Sequence, residues 1–326
     1  MENTESLSGN LSNHMSNAAD LNNAADLSNA ATDDYMLRCV AASDEIRAFA
    51  VSSRGLVETA RQAHNTSPIA TAALGRTMSG ALMMADMLKG EQDLLTIKID
   101  SDGPLQGLLV TADNHGNVKG YVKNPNVILP AKADGHLNVG GAVGKGVLTV
   151  TRNIDGTHDY AGQVELYSGE IAEDLTHYFA ESEQVPSAVG LGVLMNRNNT
   201  VREAGGFIIQ LMPFASDATI DRLEQNLKNI PYVTDMMREG AAPEDLLRRA
   251  LDGFDLHILE KKPVRFFCNC TRERTEAALL LLGEDELREI GKQTEGTDLT
   301  CQFCGKSYHF SPEQIQKLIA ELKAGK

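Results

Sequence analysis

Four of the chain's five cysteines fall in its last sixty or so residues, as Cys268-Asn269-Cys270 and Cys301-Gln302-Phe303-Cys304. Two tight pairs about thirty residues apart are the pattern of a single tetrahedral zinc site. Thiolate sulfur is a soft, anionic ligand, and one turn can supply two of them. The first pair is the more informative, because Cys-x-Cys is an unusual grip for a purely structural site, where Cys-x2-Cys or wider is common. Cysteines separated by one residue can also close a strained disulfide, so the site reads as one built to be lost. His309, five residues past Cys304, is the candidate to replace a thiolate, although four cysteines already complete a tetrahedron.

Three chemistries remain open for this tetrad. The first is a permanent zinc site that folds its own module. The second is a dithiol oxidoreductase using Cys301-x-x-Cys304, but no strand-helix unit sets Cys301 at a helix N-terminus, and Gly305 follows the pair. The third is a redox switch. Zinc would keep the sulfurs as thiolates, the nucleophilic form that oxidants attack at neutral pH. Each pair lies within disulfide reach of itself, and oxidation would eject the metal. Structural zinc is worth ~10–16 kcal/mol to a small module, more than a domain's usual stability, so its loss would unfold the module.

Other catalytic patterns fail. Gly140-Gly-Ala-Val-Gly144-Lys145-Gly146 lacks the spacing and the hydroxyl of a phosphate loop, and Gly190-Leu-Gly192 lacks the third glycine of a dinucleotide fingerprint. No Gly-x-Ser-x-Gly elbow occurs, and the eight histidines are dispersed. Cys39, alone in a strand-like Leu-Arg-Cys-Val, reads as a small buried hydrophobe. No catalytic residue is expected, and the chain reads as a non-enzyme.

Composition sets the surroundings. A length of 326 residues suggests two domains and perhaps a linker. A net charge of -15 argues against nucleic acid as a partner, and the C-terminal region offers no exception, with nine basic residues against ten acidic from Val264 to Lys326. No segment has the apolar length of a membrane span, and no signal peptide is visible, so a cytoplasmic location and no membrane partner are expected. In that reducing compartment cysteines bind metal or sense redox state more often than they form structural disulfides.

The elements that must position the cysteines follow from periodicity. Residues 1–33 are rich in Asn, Ser and Ala, with a near-repeat of six residues from Asn17 and no Lys or Arg, and a disordered tail is expected over 1–34. From 35 to 213 strands are expected at Leu37–Ala42, Ile46–Val51, Leu94–Asp100, Leu105–Ala112, Val118–Lys123, Gly146–Thr151, Gln163–Tyr167 and Gly206–Met212. Between them lie two helical stretches, the second capped by Ser67, opened by Pro68 and closed at Gly90, and a helix over Glu170–Glu183. Gly75 and Gly80 in the second stretch imply close packing. From 214 to 263 two short helices, around Ile220–Ile230 and Leu246–Leu251, each carry one apolar stripe that needs a partner, which makes a metastable helical linker. From 264 to 326 helices are expected at Thr275–Leu282, Asp285–Lys292 and after Ser311-Pro312. A core this small is marginal without a metal staple. The fold class is therefore α+β: a mixed-sheet core domain with packed helices, a helical linker and a small C-terminal zinc-binding domain.

From Tyr35 onward the chain resembles the redox-regulated 33-kDa heat-shock chaperone family. The carriers are the two cysteine pairs, Arg265-Phe-Phe-Cys-Asn-Cys-Thr, Cys304-Gly-Lys-Ser-Tyr308 with Phe310, Ala204-Gly-Gly-Phe-Ile-Ile-Gln-Leu-Met-Pro213, and Ser182-Glu-Gln-Val-Pro186. The resemblance implies an ATP-independent holdase for unfolding client proteins. It implies one zinc ion on Cys268, Cys270, Cys301 and Cys304 in the reduced form. Oxidation would form disulfides Cys268–Cys270 and Cys301–Cys304, release zinc, unfold the redox-switch domain and linker, and yield an active homodimer. Met-rich, aromatic-poor helices suit such a role, because Met re-packs against varied partners. The tail is the departure from the family pattern.

Overall fold

The computed structural model describes residues 33–324 except 155, 157 and 294, so the tail expected over 1–34 lies almost wholly outside the described residues. The described residues form three sheets, two of them large, with helices between and outside them. The expected α+β class holds.

The first sheet is antiparallel, in the order β10 (His257–Pro263), β1 (Tyr35–Ala41), β2 (Ile46–Ser52), β9 (Val201–Leu211), β8 (Ser187–Met195). The second has the order β11 (Arg265–Phe266), β5 (Asn117–Val122), β4 (Leu108–Asp113), β3 (Leu94–Ser101), β6 (Gly146–Ile154), β7 (His158–Glu165), antiparallel except for the β11/β5 pair. Between them runs α2 (Pro68–Ala85), buried at every position except Pro68 and Arg76. Ser67 caps it by accepting a hydrogen bond from the Ala70 N–H, with Pro68 in the first turn, as the sequence predicts. The helix ends at Asp86, short of Gly90. A helix enclosed on all sides needs small residues where its neighbours come closest. A Cβ on Gly75 would lie 2.7 Å from Val57, and one on Gly80 2.6 Å from Leu175. Helices α1 (Arg54–His64), α3 (Val139–Val143) and α4 (Ala172–Glu181) complete this core.

The first sheet is apolar on both faces. Alternate residues point to opposite sides, and Met36, Phe49, Val51 and Ile208 face α2. On the other side lie Leu37, Cys39, Ala41, Ile46, Ala48, Ala50, Phe207 and Ile209. That second face is covered by the segment expected to be the linker. Leu223 of α5 (Asp217–Lys228), Met236 and Met237 of α6 (Val233–Arg238), and Leu246, Leu247 and Ala250 of α7 (Pro243–Ala250) pack upon it. The apolar stripes of two helices thus find their partner.

Two features of this segment differ from the sequence reading. Between the two expected helices the chain forms a further one, α6, because Val233, Met236 and Met237 give a single turn three buried residues. Residues 257–263 form an edge strand of the first sheet that the sequence reading lacks. Its Glu260, Lys261 and Lys262 hide the apolar alternation, as suits an exposed edge.

The C-terminal region packs α8 (Arg272–Leu281), α9 (Glu284–Ile290) and α10 (Pro312–Ala324) with a hairpin of β12 (Thr297–Thr300) and β13 (Ser307–Phe310). Its buried core is small: Leu279, Leu287, Tyr308, Phe310, Ile315, Leu318 and Ile319.

Candidate metal centre and its seat on the core

Both cysteine pairs sit in turns held by short elements. Cys268 and Cys270 follow β11 and immediately precede Thr271, whose hydroxyl caps α8 by accepting from the Arg274 N–H at 3.2 Å. Cys301 and Cys304 occupy the turn of the β12/β13 hairpin. There the Cys301 N–H donates to the Lys306 carbonyl and the Gly305 N–H to the Cys301 carbonyl, each at 2.9 Å. Gly305 has φ +72 and stands against the core, where an added Cβ would meet the Ala63 carbonyl at 2.8 Å. Only glycine meets both demands at low cost.

The four sulfurs lie within 4.8 Å of one another. Cys268 Sγ is 3.7 Å from Cys301 Sγ, and Cys270 Sγ is 3.3 Å from Cys304 Sγ. A tetrahedron with sulfur about 2.3 Å from a central zinc has edges of roughly 3.8 Å, so the donor set fits that ion in number, softness and spacing. His309 stands outside the group, its Nδ1 2.8 Å from an Asp298 oxygen. Without a cation the thiols must share charge. Hydrogen bonds from Cys268 and then Cys304 push Cys301 far down, while the bond to Cys301 pushes Cys268 up to about 11, and Cys268 and Cys301 push Cys304 up. A divalent cation reverses that balance and favours four thiolates. Tyr308 closes the back, its hydroxyl 3.1 Å from the Cys270 carbonyl, and burial raises its pKa.

The cluster is seated directly on the core. Phe303, between the second pair, packs edge-on against Tyr121 of β5 at 5.4 Å, with the Lys119 ammonium 4.8 Å over its ring. Lys119 also donates to Asn269 Oδ1 at 2.8 Å, so one core lysine touches both cysteine turns. The Phe303 carbonyl lies 3.0 Å from His64 Nε2 at the end of α1, and Cys304 packs against the main core cluster. Sequence reasoning missed His64, Lys119 and Tyr121. Phe303 carried a signal, since a large apolar side chain inside a metal turn asks for a partner.

Cys39 lies far from this centre, fully buried beneath α5–α7. Burial chiefly, and the charge of Glu244, push its thiol up to about 11. None of the helices among the described residues is long and apolar enough to cross a membrane.

The family model described as Hsp33 protein matches residues 34–311. The chain belongs to the Hsp33 family. Among relatives named 33 kDa chaperonin, that of Lachnoclostridium phytofermentans is 52% identical over 287 residues, 88% of this chain and 98% of the relative. That of Agathobacter rectalis is 48% identical over 285 residues, 87% of this chain and 99% of the relative. The crystal structure of a Thermotoga maritima Hsp33 homologue superposes with a TM-score of 0.84 at 34% identity, covering 90% of this chain and 100% of that one. The Hsp33 match begins at residue 34, where the low-complexity segment ends.

Proposed function

We propose that this protein is a redox-regulated, ATP-independent holdase that binds unfolding client proteins and prevents their aggregation, without enzymatic turnover. Its working parts are a core domain over 35–213, a metastable linker over 214–263 and a redox-switch domain over 264–326. The observation that carries the reading is the path of the chain. The helices covering an apolar sheet face lead through the edge strand β10 and the two-residue β11 straight into Cys268. Whatever unfolds the cysteine module also frees the C-terminal anchor of that cover.

In the reduced state Cys268, Cys270, Cys301 and Cys304 hold one zinc ion, which supplies thiolates at neutral pH and a staple for a core of seven buried residues. Oxidation joins Cys268 to Cys270 and Cys301 to Cys304, so the ligands are lost and the module unfolds. Phe303 and Asn269 then leave Tyr121 and Lys119, β10 and β11 lose support, and α5–α7 separate from the first sheet. The freed face carries eight buried apolar residues, with Lys261 of the edge strand at its rim, where it reaches Glu244 of α7. The active form is a homodimer, and the working compartment is the cytoplasm. The Hsp33 relatives and their chaperonin names support this reading.

The test combines zinc release with suppression of client aggregation, before and after peroxide. Release and holding activity should rise together. A protein that keeps its zinc while gaining activity would sink the mechanism. Cys301→Ser should weaken zinc binding sharply, and near-wild-type affinity would point to His309 as a ligand.

A further inference from the structure

A cleft of about 500 Å³ opens onto the cysteine cluster between α8, the metal turns and β5. Cys268, Cys270 and Cys301 line it and Cys304 does not, being packed against the core. Its charged lining residues are Lys119 and Arg274, and none of the described residues lining it is acidic, in a chain of net charge -15. Neither cation is paired with a carboxylate among the described contacts. Lys119 meets the Asn269 amide and the Phe303 ring, and the Arg274 guanidinium makes no ion pair among the described residues.

We propose that this cleft is the route by which oxidant reaches the thiolates, and that Lys119 and Arg274 select small anionic peroxidic oxidants over neutral ones. The inference rests on the redox-switch reading above and names the oxidant class that the switch answers to. Four thiolates around one divalent ion leave a net negative centre, which repels anions. Two cations without a carboxylate partner, on a cleft lined by three of the sulfurs, offset that repulsion and raise the local concentration of anions. The chemistry balances. A thiolate sulfur attacks the terminal oxygen of the O–O bond, the S–O bond forms, and the O–O bond breaks with its electron pair leaving on the second oxygen. Sulfur is oxidised to sulfenic acid and the peroxide is reduced. A neighbouring thiolate then attacks that sulfur, forming the S–S bond and expelling hydroxide, which is protonated to water.

The experiment uses the zinc-loaded full-length protein at neutral pH and low salt, with zinc release followed by a chromogenic chelator. The probes are peroxymonosulfate, an anion, and hydrogen peroxide, which is neutral. The double variant Lys119→Gln, Arg274→Gln should lose roughly tenfold in rate with the anion and less than about twofold with hydrogen peroxide. Lys119→Arg should keep the wild-type ratio of the two rates, and added salt should shrink that ratio in the wild type. Trapping of sulfenic acid should mark Cys268, Cys270 or Cys301 first. If the double variant keeps the wild-type ratio, if both oxidants change together as loosened docking alone would cause, or if Cys304 is marked first, the inference is overturned. A wild-type protein that keeps its zinc against both oxidants overturns the switch reading, and this inference with it.

Discussion

The Nε2 of His64 lies 3.0 Å from the Gly120 carbonyl of β5 and 3.0 Å from the Phe303 carbonyl between the second pair of cysteines. One ring N–H is thus shared between the core sheet and the metal turn. Burial is the main influence on this imidazole and lowers its pKa from the ordinary 6.5, so the folded state prefers it neutral.

That preference has a sign. A base with a depressed folded pKa contributes stability above its unfolded pKa and loses it as pH falls below about 6.5 toward the folded value. Wild type should therefore exceed His64→Ala in urea resistance by about 1 kcal/mol at pH 7.5, and by less at pH 5.5. The acid lability of the thiolate site itself is common to both proteins and cancels in the difference. An advantage that grew on acidification would refute the assignment of a neutral, donating His64.

Leu223 is 5% exposed against the first sheet and Leu227 packs beside it. The helix bearing them has twelve residues, at the ~12–15 where isolated helices are marginal in water. Leu223→Asp with Leu227→Asp removes roughly 2–5 kcal/mol of packing at the buried site alone. The reduced variant should hold clients without oxidant and with its zinc still bound. Hydrogen exchange should show lost protection over 214–262. Full activity with that protection intact would make the linker a passive spacer.

Lys262 of β10 places its ammonium 2.5 Å from Asp86, whose side chain is 2% exposed, and 2.7 Å from the Asn114 carbonyl. Arg38 is a more distant second partner at 3.7 Å. Lys262→Met would leave a buried carboxylate short of its main counter-charge, at a cost of about 3 kcal/mol. The strand that anchors the cover should loosen, raising holding activity in the reduced protein and exchange over 257–263. Unchanged exchange there would remove β10 from the route between metal and linker.

Cys39 should take no part in switching. With its pKa at about 11 the thiol stays protonated at pH 8, and iodoacetamide should spare it in the native protein. Cys39→Ala should leave oxidative activation within about twofold of wild type. Because the folded pKa is raised from 9.0, its share of stability is complete below pH 9 and lost as pH rises toward 11. Loss of activation in Cys39→Ala would require a wider disulfide network.

Local chemistry made much of this molecule readable. Ser67-Pro68 announced α2, the strand pair Leu105–Ala112 and Val118–Lys123 is the β4/β5 hairpin, and the cysteine spacings announced a four-sulfur cluster. What stayed hidden depends on contacts distant in sequence. β8 escaped because Gly190 and Gly192 weaken its strand pattern. Those glycines make room for the covering helices, and a Cβ on Gly192 would lie 2.8 Å from Thr234. The seat of the metal turns on His64, Lys119 and Tyr121 had no local signature, because each is an ordinary residue of a helix end or strand until Phe303 arrives from about two hundred residues away.

On the holdase reading proposed above, the doubly apolar first sheet has a consequence for how a bound client would depart. Its cover is tethered to the same chain, so α5–α7 compete for the face at an effective concentration on the order of millimolar, set by tether length alone. A client must outbid that tethered rival to stay. On the proposed switch, once the cysteines are reduced and the module refolds, the rival would gain the anchorage of β10 and β11, and release would become a displacement reaction. Weak, partly refolded clients would then leave first, and those still exposing long apolar stretches last.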